Sequence, residues 1–422
     1  MTRAEMKKVV VVEKLIGGHM TNREGAAALG LTERQIIRLK QRYQEGGAAA
    51  LVHKNRGRKP AHAIREEMKE RVAALYAQTY HGSNNCHYAE LLEEHEAIIL
   101  STPSIRRILL AKGIKQAKQR RRSKAHQPRN RKAQAGMLWQ IDATPYAWLE
   151  DRAPVFALHG AIDDATGLVV GAVFTEHECR EGYSLVMQQG IRKYGLPLAL
   201  YSDRHTIFRS VNEKLTIEQE LAGETMPLSN FGKAMKELGI EHIKAVTPQA
   251  KGRVERLWGT FQDRLVIELR LLGVNTIEEA NKALPKLLAK HNRQFAVSPK
   301  EAESAYVDLG PDTNLDHVFS LRAHRQLGAG NTLSYGSRIY TLATPAAYRL
   351  DAKMIVEVRE TLKGEVMLWH GGMALPLKET LKPARILEKK KADPAPPRKP
   401  AADHPWNTSW SPKQRNKHST RP

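Results

Sequence analysis

The chain has 422 residues, a length typical of two to four domains at roughly 100–200 residues each. Hydrophobic residues make up 41% and charged residues 27%, which excludes wholesale disorder, and no apolar run reaches the ~18 residues of a membrane span. Two cysteines, Cys86 and Cys179, are too few for a disulfide framework or a cysteine-rich zinc site, so we expect a cytoplasmic protein.

The net charge of +22 is unevenly distributed along the chain. Residues 1–136 hold 28 basic and 12 acidic residues (net +16), and residues 137–307 hold 20 and 22 (net −2). Residues 308–422 hold 19 and 11 (net +8). Basic segments around a neutral middle predict a polyanionic partner, and we expect double-stranded DNA. A soluble basic protein without such a partner is the alternative.

Residues 1–60 predict a helix-turn-helix DNA-binding domain. A first helix over 5–16 precedes two capping boxes, Thr21 with Glu24 and Thr32 with Gln35, and each box marks the start of a further helix. Gly30 separates these two helices, and the second has a basic outer face, as expected of a helix that enters the major groove. The residues of this face proposed to bind DNA are Arg34, Arg38 and Arg42.

The segment from Asn55 to Pro60 (NRGRKP) offers a second kind of DNA contact. An extended Arg-Gly-Arg segment can lie in a narrow minor groove, whose negative potential attracts Arg56 and Arg58. A solvated linker is an equally good interpretation of the same residues.

Residues 61–114 predict a second domain that is similar to a helix-turn-helix. Helices are expected over 64–78, 88–95 and 104–112, the last opened by Thr102 as N-cap and by Pro103. Arg106 and Arg107 on this last helix are proposed DNA contacts.

The stretch 115–136 is interpreted as a basic linker. Nine Lys or Arg and no acidic residue lie within 115–132, and such a block cannot bury a core. We expect it, and Arg120, Arg121 and Arg122 in particular, to lie along DNA phosphates, although a solvated tether would have the same composition.

Residues 137–306 predict a mixed α/β domain. Apolar runs indicate strands over 137–142, 155–162, 168–174, 198–203 and 240–246. Helices are expected over 182–194, over 231–238 and from about 249 to 272. Three strands in a meander followed by alternating helices and strands are typical of a mixed sheet.

Three carboxylates stand out in this domain. Asp142 and Asp203 each end a predicted strand, and they would meet at one sheet edge if those strands are parallel neighbours. Glu255 lies beside the apolar stripe of the long helix and is expected to face the sheet edge rather than bulk water. Carboxylates without Cys or His partners suit two Mg²⁺ or Mn²⁺ ions acting on a phosphodiester. Ordinary strand-end and helix acids are the alternative that this pattern leaves open.

Other charged residues of the middle region have weaker claims to a function. Asp163 and Asp164 are better explained by turn chemistry than by catalysis. Lys251, Arg253 and Arg256 flank Glu255 and are proposed to hold DNA phosphates near the metals; a solvated helix face is the alternative.

The sequences around the three acids resemble a known family. Ile141-Asp142, Tyr201-Ser202-Asp203 and the stretch 248–256 (PQAKGRVER) resemble the RNase H-like catalytic core of DDE transposases and retroviral-type integrases. The stretch 198–208 (LALYSDRHTIF), with 231–240, is similar to the ISNCY group of bacterial insertion-sequence transposases. The resemblance covers residues 137–295.

This resemblance implies a function and a set of partners. It implies a nucleoid-associated bacterial transposase that binds the terminal inverted repeats of its own element, cleaves the 3′ ends and transfers them into target DNA. Asp142, Asp203 and Glu255 would be its metal-binding acids, and joining two ends implies a homodimer or larger assembly. The second and third acids lie 52 residues apart, and the excess over retroviral integrases falls in 210–229.

The C-terminal third predicts a different architecture. Short alternating runs at 338–342, 354–358 and 365–369, punctuated by glycines, predict a small β-barrel within 317–380. In the resembled transposases such a barrel follows the core and binds DNA or a neighbouring subunit. Residues 388–422 are rich in Pro and Lys and predict a disordered basic tail.

Two other functions are compatible with parts of this sequence. A DNA-binding regulator with an inactive integrase-like core would bind DNA without metal dependence, but intact acids at all three positions argue against it. A nuclease of the RNase H type that acts on RNA would have no use for two helix-turn-helix domains.

Overall fold

The computed structural model describes residues 1–53, 60, 63–115, 129–203, 205–208, 221, 227–244, 251–343, 350–351, 353–380 and 404. The chain divides into two compact units, Met1–Arg121 and Arg122–Pro422. Some predictions lie outside the described residues: those on Arg56, Arg58, Arg120, Arg121 and Arg122, on most of 210–229, on 248–250 and on nearly all of the tail from 388. Within the described residues, no helix combines the length and apolar character needed to cross a membrane.

The first unit begins with three short helices, and hydrogen bonds between residues close in sequence determine where each helix begins. They are α1 (Arg3–Ile16), α2 (Asn22–Leu29) and α3 (Glu33–Gly46). Both predicted capping boxes are confirmed, because the Thr side chain accepts from the third backbone amide and Glu24 or Gln35 accepts from the Thr backbone. Gly30 adopts φ 64°, the left-handed conformation that ends α2.

Helix α3 separates apolar and basic sides as its sequence predicts. Ile36 is fully buried, and Leu39 packs against the same small core. Arg34 and Arg38 are exposed. Arg42, by contrast, is half-buried and donates to the backbone carbonyl of Ala50, so part of its hydrogen-bonding capacity is already used inside the unit.

Three further helices complete the described part of the first unit: α4 (Glu66–Gln78), α5 (Asn85–Glu96) and α6 (Thr102–Ala111). The N-cap of α6 is Ser101 and not Thr102 as predicted, because the Ser101 hydroxyl accepts from the Ser104 amide and Thr102 is already helical. Arg106 and Arg107 on α6 are exposed.

The second unit is built on a five-stranded mixed sheet. Its strands are β1 (Trp139–Tyr146), β2 (Phe156–Asp163), β3 (Val169–Thr175), β4 (Ala199–Ser202) and β5 (Glu241–Lys244). The spatial order is β3-β2-β1-β4-β5. The first three strands form an antiparallel meander, whereas β4 runs parallel to both β1 and β5, which confirms the predicted mixed sheet.

Strand β1 is longer than its sequence predicts, so Asp142 does not end it. β2 continues to pair with β1 from Asp142 opposite Gly160 out to Tyr146 opposite Phe156. The prediction placed the end where the apolar run ends, but antiparallel pairing needs backbone groups and not apolar side chains. Asp203 does follow the last residue of its strand, Ser202.

Helices cover both faces of this sheet and form two cores. Helices α7 (Arg180–Tyr194) and α8 (Asn230–Glu237) pack on one face, against Trp139 and Ile141. Helices α9 (Gly252–Leu271) and α10 (Ile277–Phe295) pack on the other. Helix α10 was not predicted from the sequence, although Thr276 caps it by accepting from the Glu279 amide.

The C-terminal part of this unit is a second sheet, preceded by the short helix α11 (Leu315–Val318). Its strands are β6 (Leu321–Gln326), β7 (Thr332–Tyr335), β8 (Arg338–Leu342), β9 (Ile355–Glu360), β10 (Val366–His370) and β11 (Met373–Thr380). All pairs are antiparallel, in the order β6-β9-β10-β11-β8-β7. The closed barrel stays a prediction.

Salt bridges join this sheet to the helices packed on the first one, and Glu237 makes two of them. Glu237 at the end of α8 accepts from Arg322 on β6 and, at 3.1 Å, from Arg359 on β9. The Arg359 guanidinium also stacks on Trp369, 3.7 Å from its ring centre. The second sheet is therefore fixed to the helix that supports β4 and β5.

Close packing of α7 on β3 gives a test of this fold. A Cβ added at Gly171 would lie 2.5 Å from the Val186 carbonyl oxygen, so Gly171→Ala must push α7 away from the sheet. We expect it to lower the thermal unfolding temperature, with an overpacking cost of about 1–3 kcal/mol. Gly259→Ala is the matched control, because Gly259 lies inside α9 with nothing within 4 Å of the added Cβ. That change should stabilise the helix by up to about 1 kcal/mol. Equal unfolding temperatures for the two variants would contradict this packing.

Candidate active site

The strand pairing brings Asp142 and Asp203 to the same place. In the parallel pair of β1 and β4, Trp139 lies opposite Leu200 and Gln140 opposite Tyr201. Continuing this register by two residues puts Asp142 beside Asp203, just beyond the end of β4. The two predicted acids therefore adjoin at the edge where β1 loses its parallel neighbour.

One ammonium group contacts both of these carboxylates. Lys251 Nζ lies 2.8 Å from Asp142 Oδ1 and 3.9 Å from Asp203 Oδ2. A solvated helix face was the alternative interpretation of Lys251, but the residue is only 7% exposed. The difference arises because Lys251 is the N-cap of α9, with non-helical backbone angles, so the helical periodicity does not decide where its side chain points.

Trp258 holds the other oxygen of Asp142. Its indole Nε1 donates to Asp142 Oδ2 at 3.1 Å. Gly160, directly opposite Asp142 on β2, makes room for this ring, because a Cβ there would lie 3.0 Å from the Trp258 Cη2 atom. Both oxygens of Asp142 are thus engaged by residues of the α9 region.

Glu255 stands apart from this pair. It is exposed, whereas the sequence analysis expected it to face the sheet edge. The stripe of Val254, Leu257 and Trp258 occupies the side of α9 that contacts the sheet, which leaves Glu255 turned toward solvent. Among the residues that the structure describes, no three His, Cys, Asp or Glu side chains are grouped so that they could hold a metal ion.

Asp203 has a neighbourhood that sequence reasoning missed. Its Oδ1 accepts from the backbone amide of His205 at 2.9 Å. Nearby, Tyr183 donates to Glu178 Oε1 at 2.6 Å, and burial, with Glu178, Asp142 and Asp203, raises the pKa of Tyr183. The sequence carried a signal for this neighbourhood. Strand β3 is antiparallel to β2 and β2 is antiparallel to β1, so β3 runs parallel to β1. Residues that follow β3, such as Glu178, therefore lie at the same edge as Asp142.

The turn acids Asp163 and Asp164 are both fully buried and have different roles. Asp163 behaves as the turn chemistry predicts, because its Oδ1 accepts from the Thr166 amide and hydroxyl, each at 2.8 Å. Its other oxygen accepts from the Gly136 amide at 2.8 Å.

Asp164 connects three parts of the unit. Its Oδ1 accepts from Arg253 Nε at 2.8 Å and Gln140 Nε2 at 2.9 Å, and also from Arg129. Its Oδ2 accepts from the Lys132 amide at 2.9 Å. One buried carboxylate therefore joins the segment before β1, strand β1 itself and the first turn of the helix that carries Glu255.

The arginines proposed to contact DNA in this region are placed unequally. Arg253 is mostly buried against Asp164, with 14% of its side chain exposed, and Arg256 is exposed. Both line a cavity together with Arg131 and His291. The pKa of Arg131 is lowered, mainly by burial and then by the Arg253 and Arg256 guanidiniums. The Asp164 carboxylate acts in the opposite direction.

Comparison with known proteins assigns the family. The chain is 32% identical over 388 residues to a protein named transposase y4bF from Sinorhizobium fredii, covering 92% of this chain and 83% of that protein. It is 34% identical over 372 residues to the transposase for insertion sequence IS1202 from Streptococcus pneumoniae, covering 80% of this chain and 77% of that protein. The chain belongs to the insertion-sequence transposases.

A family model described as a winged helix-turn-helix matches residues 10–70 of the transposase. This confirms the predicted helix-turn-helix at the N-terminus. The match includes helices α2 and α3, and within the described part of residues 10–70 all regular secondary structure is helical. The match extends beyond residue 60, where the sequence analysis ended this domain.

Two solved structures overlap with the transposase loosely. A simian T-cell lymphotropic virus intasome in complex with the PP2A regulatory subunit B56 gamma gives a TM-score of 0.31 at 17% identity, covering 74% of this chain and 100% of that chain. The HTLV-2 integrase catalytic core domain in complex with magnesium gives 0.28 at 21% identity, covering 40% and 94%. Superpositions this loose carry no argument about this chain.

The network of Asp164 gives a prediction for stability. Asp164→Asn keeps the shape of the side chain but removes the charge that Arg253 and Arg129 surround. Breaking a buried ion pair on one side costs about 3–5 kcal/mol, so we expect a clear fall in the thermal unfolding temperature. Asp151→Asn is the matched control, because Asp151 is exposed on the same unit and should change stability by less than about 0.5 kcal/mol. A similar small effect of both substitutions would show that Asp164 is not a structural centre.

Proposed function

We propose that this transposase binds the terminal inverted repeats of its own element and acts as a metal-dependent polynucleotidyl transferase. It would cleave the 3′ ends of the element and transfer them into target DNA. Asp142, Asp203 and Glu255 would hold its metal ions. The observation that supports this proposal best is the meeting of Asp142 and Asp203 around one shared cation, the Lys251 ammonium.

The carboxylate oxygens of these three acids are of the chemical type that binds Mg²⁺ or Mn²⁺. Two adjacent carboxylates are costly without a cation, and hard divalent cations prefer carboxylate oxygens. Glu255 follows Lys251 by four residues, about one helical turn, which makes it the nearest further acid on α9 to the two aspartates. When bound, two such ions would supply Lewis-acid chemistry to a phosphodiester.

The surrounding residues would orient the two aspartates. Trp258 fixes one oxygen of Asp142 from the helix, and the His205 amide fixes one oxygen of Asp203. Partners of this kind set the direction of a ligand's free lone pairs and tune its affinity for metal. Tyr183, through Glu178, would keep a further carboxylate close to the same edge.

Arginines on helix α9 and beside it would hold DNA near these acids. Arg131, Arg253 and Arg256 line one cavity, where Asp164 is the counter-ion of Arg253 and Arg256 is exposed. Guanidinium groups suit phosphate oxygens because of their fork of donors. A DNA phosphate is the anion that we propose for this cavity, with Lys251 released for a similar contact once metal is bound.

Each part of the chain would have its own role. Residues 1–60 and 61–114 would bind the element ends, and 115–136 would lie along the phosphates. Residues 137–306 would form the catalytic core. The β-barrel proposed for 317–380 would bind DNA or a second subunit, since joining two ends needs at least a dimer on DNA.

Charge removal at the three acids tests the chemistry. Asp142→Asn, Asp203→Asn and Glu255→Gln should each abolish nicking and joining of labelled end DNA in Mg²⁺. End binding in a gel shift should survive. The defects should be far from additive, because the acids act as one unit and the loss of one already disables it. The matched control is Asp263→Asn, on the exposed side of the same helix α9.

The outcomes separate two functions. Near-normal joining by one of the three variants would remove that residue from the site. End binding without metal-dependent nicking or joining, in the wild type as in the three variants, would favour a regulator with an inactive core. Asp163 and Asp164 are unsuitable as neutral controls, because both are fully buried and hydrogen-bonded.

The salt dependence of DNA binding tests the proposed role of helix α3 in recognising the element ends. In the full-length chain, replacing Arg34 and Arg38 by Gln should weaken binding to end DNA. It should also lower the slope of log affinity against log salt by about 0.9 for each phosphate that the variant no longer neutralises. A variant with Lys282→Gln and Lys286→Gln loses the same charge from exposed positions of α10 and serves as the control. Equal effects of both double variants, or equal affinity for end DNA and random duplex, would contradict end recognition through α3.

A further inference from the structure

The Lys251 side chain occupies an unusual position for a lysine. The residue is 7% exposed, and its side chain lies inside the site rather than on the surface where lysines ordinarily are. Its ammonium contacts Asp142 at 2.8 Å and Asp203 at 3.9 Å. Among the described residues it is the only cationic group that forms salt bridges with either aspartate.

The contact has an electrostatic cause. Asp142 and Asp203 are brought together by the register of β1 and β4, and two adjacent carboxylates repel each other unless a cation lies between them. An ammonium is a compact point charge with three donors, so it can serve two carboxylates at once. A divalent cation placed between the same two oxygens would need the space that this ammonium fills.

We propose that Lys251 is an internal counter-ion that occupies the metal position in the metal-free protein and is displaced when a divalent cation binds. This inference rests on the proposed function, because it takes Asp142 and Asp203 as metal ligands. Lys251 would keep the acidic edge folded without metal. It would also compete with the metal, so that the affinity for a single divalent cation is lower than the carboxylates alone would give.

The position of Lys251 in the chain favours such an exchange. It is the N-cap of α9 and its side chain makes no helix-capping hydrogen bond, so its withdrawal removes no hydrogen bond from the helix. Asp142 would keep its bond from Trp258, and Asp203 its bond from the His205 amide. The aspartates therefore remain oriented when the ammonium leaves.

An ordinary structural salt bridge makes different predictions. If Lys251 only stabilised the fold, its removal would destabilise the protein equally with and without metal. It would also leave the affinity for metal unchanged or reduced. The two possibilities are therefore separated by metal affinity and by the metal dependence of unfolding, with no need for DNA or catalysis.

The test uses the full-length protein and Mn²⁺ alone as the probe. Lys251→Met keeps the length of the side chain and removes its charge. Titration calorimetry or Mn²⁺ electron paramagnetic resonance should show a several-fold lower dissociation constant than that of the wild type. In thermal unfolding, the variant should melt below the wild type without metal, and the difference should shrink at saturating Mn²⁺.

Two further lysine variants complete the design. Lys251→Arg keeps a cation and should retain the stability of the metal-free protein with weak Mn²⁺ binding. Lys286→Met removes an exposed lysine from α10 and should leave both measurements unchanged. If Lys251→Met is unfolded without metal, folding on addition of Mn²⁺ supports the inference, and failure to fold at any Mn²⁺ concentration overturns it.

The aspartate variants separate this inference from the proposed function. If Asp142→Asn and Asp203→Asn weaken Mn²⁺ binding while Lys251→Met binds Mn²⁺ no more tightly than the wild type, only the counter-ion role is wrong. If the two aspartate variants bind Mn²⁺ as well as the wild type does, the metal site itself is wrong and the proposed function fails with it.

Discussion

The docking of helix α9 on strand β1 is the constraint on which the site depends. Side chains alternate along a strand, so Gln140 and Asp142 both point to the face that α9 covers. Gln140 accepts from the Val254 amide at 3.3 Å, and Asp142 accepts from Trp258 and Lys251. The helix that carries Glu255 is therefore held by polar contacts to the strand that carries the first acid, within an otherwise apolar interface.

A second set of contacts fixes the first turn of the same helix. Asp164, at the turn after β2, accepts from Arg253 in the first turn of α9 and from Gln140 on β1. It also accepts from Arg129, which lies within the predicted basic linker. Asp164 thereby links residues 129–132, within the predicted basic linker, to the first turn of α9.

Much of the local structure follows from short sequence patterns. The capping boxes at Thr21 and Thr32 determine where two helices begin, since donor and acceptor lie three residues apart. Apolar runs predicted all five strands of the first sheet, and a short motif selected Asp142, Asp203 and Glu255 as candidates. The end of β1 was wrong because pairing with β2 continues past the apolar run. Helix α10 was missed although Thr276 and Glu279 carry the same kind of signal.

The sequence by itself therefore determined the family resemblance, the order of most helices and of the five strands of the first sheet, and the candidate acids. The tertiary structure alone decided which charges meet. Lys251 reaches Asp142 across 109 positions of the chain, and Arg253 reaches Asp164 across 89. No local periodicity encodes such pairs, because they arise from strand register and helix docking. Those contacts pair Lys251, which is proposed to bind DNA, with two aspartates, and they make the turn residue Asp164 a buried partner of Arg253 on helix α9.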